Sequence, residues 1–242
     1  MKTAIVMAQW NRQEFFNEIV KNLNKQTYKN FDLFIWNNNS SRTEEIENEI
    51  QRAEGYSIYL HNSSTNVFGF GRFLLCKKLF SGKIPYVSPS DYDKVIFMDD
   101  DFSFSDDLIR QLVEKFRKKS YLGHWAFKIF SNYGDRERCH VQFEVADYVG
   151  TGISIIDPEV FKSDLFFDTI PDKSCYCIED ICLTLFCKRI GWDTLAIPFS
   201  LKILRMNHDL KERPLHKRLG RGYKSKRYPK LVEYYNNLEV GV

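Results

Sequence analysis

The chain has 242 residues and 28.7 kDa, with 43% hydrophobic, 15% aromatic and 28% charged side chains, which excludes a disordered or fibrous chain and implies a globular protein with a large core. Although the length exceeds the roughly 150 residues of an average domain, α/β domains of this size fold as one unit, so a single enlarged domain is expected. The formal charge of +3 is uneven: residues 1–210 carry 26 basic and 29 acidic side chains, whereas residues 211–230 carry nine basic and one acidic, so only that last segment has the composition of an anion binder.

Over the first 120 residues short apolar runs alternate with helical periodicity, the pattern of βαβ units and a largely parallel sheet. Thr3 to Gln9 reads as the first strand. Its apolar run is too short for a secretory signal, and no window reaches the ~18 apolar residues of a membrane span, so a soluble, cytoplasmic protein is expected. Asn11 with Glu14 fits an N-cap pair, followed by Phe15, Phe16, Ile19, Val20 and Leu23 on one helical face. Phe31 to Trp36 is the second strand, stopped by Asn37-Asn38-Asn39-Ser40-Ser41, and Ser41 with Glu44 opens a polar helix over 42–54. A third strand over 56–60 leads through a Gly/Asn/Ser loop to a helix over 72–80. Residues 81–93, with Gly82, Pro85 and Pro89, read as a surface loop. A buried strand over 94–98 then runs into Asp99-Asp100-Asp101. Ser105 fits the cap of a helix whose stripe is Leu108, Leu112, Val113 and Phe116.

Beyond that helix, strands over 124–130, 141–148 and 152–156 follow without long helices between them, which implies mixed or antiparallel pairing. A helix over 177–190 closes on Gly191 at the C′ position, and short strands follow over 194–197 and 201–205. The six cysteines are Cys76, Cys139, Cys175, Cys177, Cys182 and Cys187. The last four lack the two separated C-x2-4-C pairs of zinc sites and read as reduced thiols packed beside a helix.

Three adjacent carboxylates at the end of a buried strand repel one another, so a cation is the natural neutraliser; hard divalent ions select carboxylate oxygen and share it with substrate phosphates. The carboxyl end of a strand is also where open α/β sheets bind ligands. A solvated acidic turn leading into the next helix is the alternative.

The motifs form an ordered series. Asn11-Arg12-Gln13-Glu14-Phe15, then Gln26-Thr27-Tyr28-Lys29-Asn30-Phe31-Asp32-Leu33, then Asn66-Val67-Phe68-Gly69-Phe70-Gly71-Arg72, then Phe97-Met98-Asp99-Asp100-Asp101, and last Glu179-Asp180 opening a helix that ends at Arg189-Ile190-Gly191-Trp192. This series, over about residues 3–200, resembles the GT-A fold glycosyltransferases of the family 2 type, with their N-x-G loop, D-x-D motif and E-D…R-x-G-[YW] element. A narrower likeness is to small glycosyltransferases encoded by large DNA viruses of algae. The resemblance implies an α/β fold with a mixed, mostly parallel central sheet flanked by helices. One catalytic domain would cover 1–210, with a nucleotide-binding half to about 104 and an acceptor half beyond it; 211–242 would form a basic C-terminal segment.

The resemblance also implies roles. Asp99 and Asp101 would bracket the ribose and a Mn²⁺ or Mg²⁺ ion on the diphosphate, with Asp100 close by, and Trp10 and Arg12 would lie beside the nucleotide. Arg72 of the N-x-G region, and Asn37 and Asn39 after the second strand, would contact the donor. The family carries aspartates where this chain has Asn37-Asn38-Asn39-Ser40, so a UDP- and a GDP-linked donor both stay open, as does an ordinary Asn turn. Gly150-Thr151-Gly152 resembles the small-residue stretch lining the sugar pocket, where Gly152 lets a sugar approach the backbone. Asp180, with Glu179 as alternate, would be the base that takes the acceptor's proton, although an acid there also suits a helix N-terminus. His208 would be a late metal or diphosphate ligand, if it is not simply a surface residue.

The expected activity is therefore metal-dependent, inverting transfer of a hexose from a nucleotide-diphosphate sugar to a hydroxyl of a glycan acceptor. A retaining transferase or a nucleotidyltransferase using the same aspartates is the alternative within this chemistry. From another class, the 211–230 segment alone suits a nucleic-acid-binding module, but the net −3 of residues 1–210 argues against a broad basic footprint, and no nucleic acid is expected. The same segment could instead fold over a donor diphosphate, present Tyr223 and Tyr228 to an acceptor, or form a solvated tail.

Overall fold

The computed structural model describes residues 1–12, 15–199, 204–205 and 222–239, with the side chains of 204 and 205 left aside. Its centre is a seven-stranded sheet. Chain order gives β1 (Lys2–Gln9), α1 (Phe16–Asn24), β2 (Phe31–Asn37), α2 (Thr43–Ile50), β3 (Ile58–Asn62), α3 (Gly71–Phe80), β4 (Tyr92–Met98), β5 (Phe102–Ser103) and α4 (Leu108–Lys115). There follow β6 (Ser120–Gly123), β7 (Ala126–Ile129), β8 (Arg136–Arg138), β9 (Tyr148–Val149), β10 (Ile153–Ile156), α5 (Leu165–Asp168), α6 (Glu179–Arg189), β11 (Asp193–Ala196), β12 (Leu204–Arg205) and a last helix, α7 (Tyr223–Asn236).

The sheet order is β11-β6-β10-β4-β1-β2-β3, with β10 antiparallel to both its neighbours and the other pairings parallel. β1, β2 and β4 are apolar at nearly every position because both faces of the sheet are covered. Their residues alternate between two clusters. Ala4, Val6, Phe34, Val95 and Phe97 join α3, α6 and α7 on one face, while Ile5, Met7, Leu33, Ile35, Ile96 and Met98 join α1, α2 and α4 on the other.

Strand order reverses between β1 and β4, and the crevice that a doubly wound sheet offers to ligands lies at such a switch point, beyond the strands' carboxyl ends. Register brings three chain segments there. Met7 pairs with Met98, and Met98 pairs with Ile153 of the antiparallel β10. Trp10–Arg12, Asp99–Asp101 and Gly152 therefore meet at one edge.

Several local expectations are corrected. Asn11 does not cap α1: it adopts φ 54°, and the helix starts after Phe15 with no side-chain cap. Ser41 does not cap α2, since Asn39 accepts from the Ser41 backbone to cap a short 3₁₀ turn and α2 ends at Ile50. Ser105 bonds to Asp107, and it is Asp107 that precedes α4, its carboxylate accepting from the Arg110 and Gln111 side chains and not from a helix amide. The strand expected over 124–130 shortens to β7, and a separate strand, β6, precedes it. The 141–148 run is mostly irregular, touching the sheet through one bridge, Val145 to Leu195. All six cysteines are free and buried.

α7 was not foreseen. It packs on α6 and buries Leu231 and Tyr235 in the core, so this described part of the basic segment is built into the molecule. Residues 211–221 and His208 lie outside the described residues. Among the described residues no helix is long and apolar enough to cross a membrane.

Candidate active site

β4 delivers its three carboxylates into the crevice, and two arginines from other elements meet them. Arg12, at the end of β1, places Nη1 2.8 Å from Asp100 Oδ1 and 3.1 Å from Asp101 Oδ2. Arg72, in the first turn of α3, donates from Nη2 to Asp99 Oδ1 at 3.0 Å, from Nη1 to the Thr151 carbonyl at 3.3 Å and from Nε to the Gly69 carbonyl at 3.2 Å. Burial opposes the charge of Arg72, but the fields of Asp99 and Glu179 hold it charged. Burial pushes Asp100 up to about 7 against the pull of Arg12. Of the three aspartates, Asp99 is the one open to solvent, with 34% of its side chain exposed against 9% and 3% for Asp100 and Asp101.

Gly152 forms the floor beside Asp99. A Cβ there would stand 3.0 Å from Asp99 Oδ2 and 3.3 Å from both Phe102 and Trp125, so the backbone can lie close only because no side chain is present. Trp125, half-buried, carries the Arg138 guanidinium 4.3 Å from its ring centre. Arg138 Nη2 in turn lies 2.6 Å from Nε2 of His124, whose pKa burial and the neighbouring Arg138 lower to about 4, so the ring is neutral in ordinary buffers.

Across the crevice stands the N-terminal turn of α6. Ile178 is its N-cap residue, so Glu179 and Asp180 occupy the first two helical positions and neither is the cap. The exposed amides of that turn favour negative charge. Glu179 rests on Gly69, where a Cβ would fall 1.8 Å from its Oε1. Burial, with Asp180 adding to it, pushes Glu179 up to about 7 against Arg72 and Lys224. Asp180 accepts from Tyr148 Oη and from the Ile181 backbone, and Lys224 Nζ of α7 lies 3.2 Å from both its oxygens. Gly69→Ala should therefore displace Glu179 and cost about 1–3 kcal/mol in urea unfolding; an unchanged midpoint would show that the Glu179 side chain relocates freely.

At the carboxyl ends of β2 and β3 the asparagines engage one another. Asn37 donates to Asn62 at 2.9 Å, the Asn39 backbone donates to Asn37 Oδ1 at 3.0 Å, and Asn39 Nδ2 donates to Asn11 at 2.5 Å. Asn38, buried, accepts from Trp36 Nε1 and from the Val67 backbone and so ties this turn to the N-x-G loop. Trp10 sits half-buried at the end of β1.

No protein-family model matches the chain, and no curated protein matches it by sequence. Solved structures do match in shape. With residues 1–349 of TarS from S. aureus, in complex with UDP, the TM-score is 0.59 at 14% identity over 99% of this chain and 67% of that one. For GalNAc-T7 with UDP, GalNAc and Mn²⁺ the values are 0.65, 11%, 96% and 48%. For the mannosyltransferase PcManGT of Pyrobaculum calidifontis, with GDP-Man and Mn²⁺, they are 0.58, 8%, 97% and 73%. The fold is that of the GT-A glycosyltransferases.

The GT-A crevice thus brings together Arg12, Arg72, Asp99, Asp100, Asp101 and Gly152, with Trp10 just after β1 and with Glu179 resting on Gly69, whose carbonyl Arg72 holds. Asn37 and Asn39 lie at the neighbouring strand ends. Arg12, expected beside the nucleotide, has its guanidinium on Asp100 and Asp101. Among the described residues no three His, Cys, Asp or Glu side chains form a ready metal cage. One or two carboxylates completed by a diphosphate nonetheless suit Mg²⁺ or Mn²⁺, and the solvent-open carboxylate of Asp99 beside the Gly152 floor fits that donor set.

Tyr148, Trp125 and Lys224 were missed. Lys224 was visible only as one of nine basic residues in the 211–230 segment, and Tyr148 only as the residue two before Gly150. Nothing in the spacing announces that they converge on α6 and the crevice floor.

Proposed function

We propose that this GT-A chain is a metal-dependent, inverting glycosyltransferase that moves a hexose from a UDP- or GDP-linked donor to a hydroxyl of a glycan acceptor. The observation that carries this reading is the buried Arg72, which bonds both to Asp99 at the acidic end of β4 and to the carbonyl of Gly69, the residue on which Glu179 of the acidic start of α6 rests. It ties the residues suited to a diphosphate to those suited to proton removal. The fold shared with structures that hold UDP or GDP-Man supports the donor class.

In this reading the base rests near Asn37 and Asn39 with Trp10 beside it, and the diphosphate lies over Asp99 and Asp101. A Mn²⁺ or Mg²⁺ ion held there, with His208 as a further ligand, would offset charge on the leaving diphosphate. Gly152 leaves room for the sugar. Asp180 takes the proton of the acceptor hydroxyl from the face opposite the leaving group, with Glu179 the alternative base. The free buried thiols suit a reducing, cytoplasmic setting. Lys224 and Arg227 are engaged with Asp180 and Asp172, which takes two charges away from any nucleic-acid footprint of the basic segment.

The test is a panel of nucleotide sugars with and without Mn²⁺, read by thermal shift and by release of nucleoside diphosphate. Selective, Mn²⁺-dependent stabilisation with diphosphate release is expected, because a ligand that binds the native state stabilises it by RT ln(1 + [L]/Kd). Release of pyrophosphate would favour the nucleotidyltransferase; no binding and no turnover across the panel would overturn the proposal.

A further inference from the structure

α6 opens with two adjacent buried carboxylates, Glu179 at 6% exposure and Asp180 at 8%. Two acids side by side in a low-dielectric setting cannot both ionise unless cations balance them. Arg72 approaches from α3 on the Glu179 side. On the Asp180 side the cation is Lys224, 3.2 Å from both carboxylate oxygens and 5.2 and 5.6 Å from the ring centres of Tyr133 and Tyr148. Among the described residues the other groups facing the pair are Tyr148 of β9, Tyr121 of β6, Cys177 in the preceding turn and Cys182 along α6, none of them a cation.

α7 is held in this place by its own first turns. Arg227 Nη2 meets Asp172 at 3.0 Å, and Tyr223 Oη donates to the Ser174 carbonyl at 3.1 Å, so with Lys224 on Asp180 three contacts seat the helix against α6 and the turn leading into it. A buried ion pair is weak evidence for stability alone, and a lysine brought 44 positions along the chain to this acid calls for another account.

We infer that Lys224 is a positioning residue of the catalytic centre, which supplies the positive charge opposite the Glu179–Asp180 pair and fixes the aim of the Asp180 carboxylate. This rests on the transferase reading above. The last helix then completes the site, and the proton-accepting pair depends on a residue outside the sheet and loops that bind the donor.

The experiment compares the wild type with Lys224→Gln, Lys224→Met and Lys224→Arg. Without the cation Glu179 loses one of the two positive charges that draw it down, so the acid limb of the kcat profile should move up by about one pH unit in Lys224→Gln and Lys224→Met. At neutral pH kcat should fall about tenfold with KM for the donor within about twofold, and Lys224→Arg should keep the wild-type limb. A readout independent of turnover is the ¹³C titration of the two carboxyls, assigned with Glu179→Gln and Asp180→Asn. An unmoved carboxyl titration in Lys224→Gln overturns the inference even if the chain is a transferase. A moved titration in a chain that turns over no donor upholds the charge coupling and sinks the transferase reading instead. Should Lys224→Met fail to fold, Lys224→Gln, which keeps a donor to Asp180, decides.

Discussion

Asp180→Asn should lower kcat by about 10²–10⁴-fold, the range expected when a general base is removed, with donor affinity nearly unchanged. The substitution has a structural cost that a capping role would not carry. Asp180 lies inside the first turn of α6 and is the ion partner of Lys224, so Asn strands a half-buried ammonium although it still accepts from Tyr148. A loss of about 1–3 kcal/mol in urea unfolding is expected from that stranded group. The double variant with Lys224→Met separates the two effects: removing both partners should recover much of the stability, because an apolar replacement of a buried pair is often neutral, while the rate stays low. If Asp180→Asn keeps near-full kcat and Glu179→Gln collapses it, the base is Glu179. Indifference to both would point to a retaining mechanism.

The elements legible in the sequence are those whose pattern reflects one dominant force. β1, β2 and β4 are apolar at almost every position because both their faces are buried, and α6 closes on Gly191 at φ 76°, a conformation that favours glycine. Misreadings arose where side-chain type was ambiguous. Val141 and Val145 alternate as in a strand yet are 67% and 55% exposed, and the four residues of β6 are too few to show a period. The capping pairs failed because Asn and Ser satisfy turn amides as readily as helix amides, which is what Asn39 does here.

The site divides along the same line. Asp99–Asp101 stand out by residue type, since three adjacent acids at a strand end repel one another, whereas Arg72, Glu179 and Asp180 stand out only through the ordered motifs of the family resemblance. Lys224, Tyr148 and Trp125 act through contacts made only after the chain has folded. Tyr148 reaches Asp180 across 32 residues and Lys224 across 44, and in a segment of nine basic residues no local feature distinguishes that lysine from the others.

Arg72→Met should have the largest effect on stability. Arg72 is buried at 5% exposure, and its loss takes one donor from each of the Gly69 and Thr151 carbonyls and removes the cation whose field acts on Asp99 and Glu179. Because Asp99 is partly solvated, the loss is expected at about 3 kcal/mol, a large share of the roughly 5–15 kcal/mol that stabilises an ordinary domain. The sign of its pH dependence follows from Glu179, which burial already raises from 4.5 to about 7. An acid raised in the native state contributes most stability below its unfolded value and loses that contribution as pH rises through its native one. Removing the cation raises the native value further, so the deficit of Arg72→Met relative to wild type should be smallest near pH 5 and should grow towards pH 8. Urea midpoints of wild type, Arg72→Met and Arg72→Lys at the two pH values check this, with Lys expected between the others because it keeps the charge and loses the fork. A deficit equal at both pH values would mean that Arg72 acts by packing and hydrogen bonding to the two carbonyls, and the charge link between β4 and α6 would have to be abandoned.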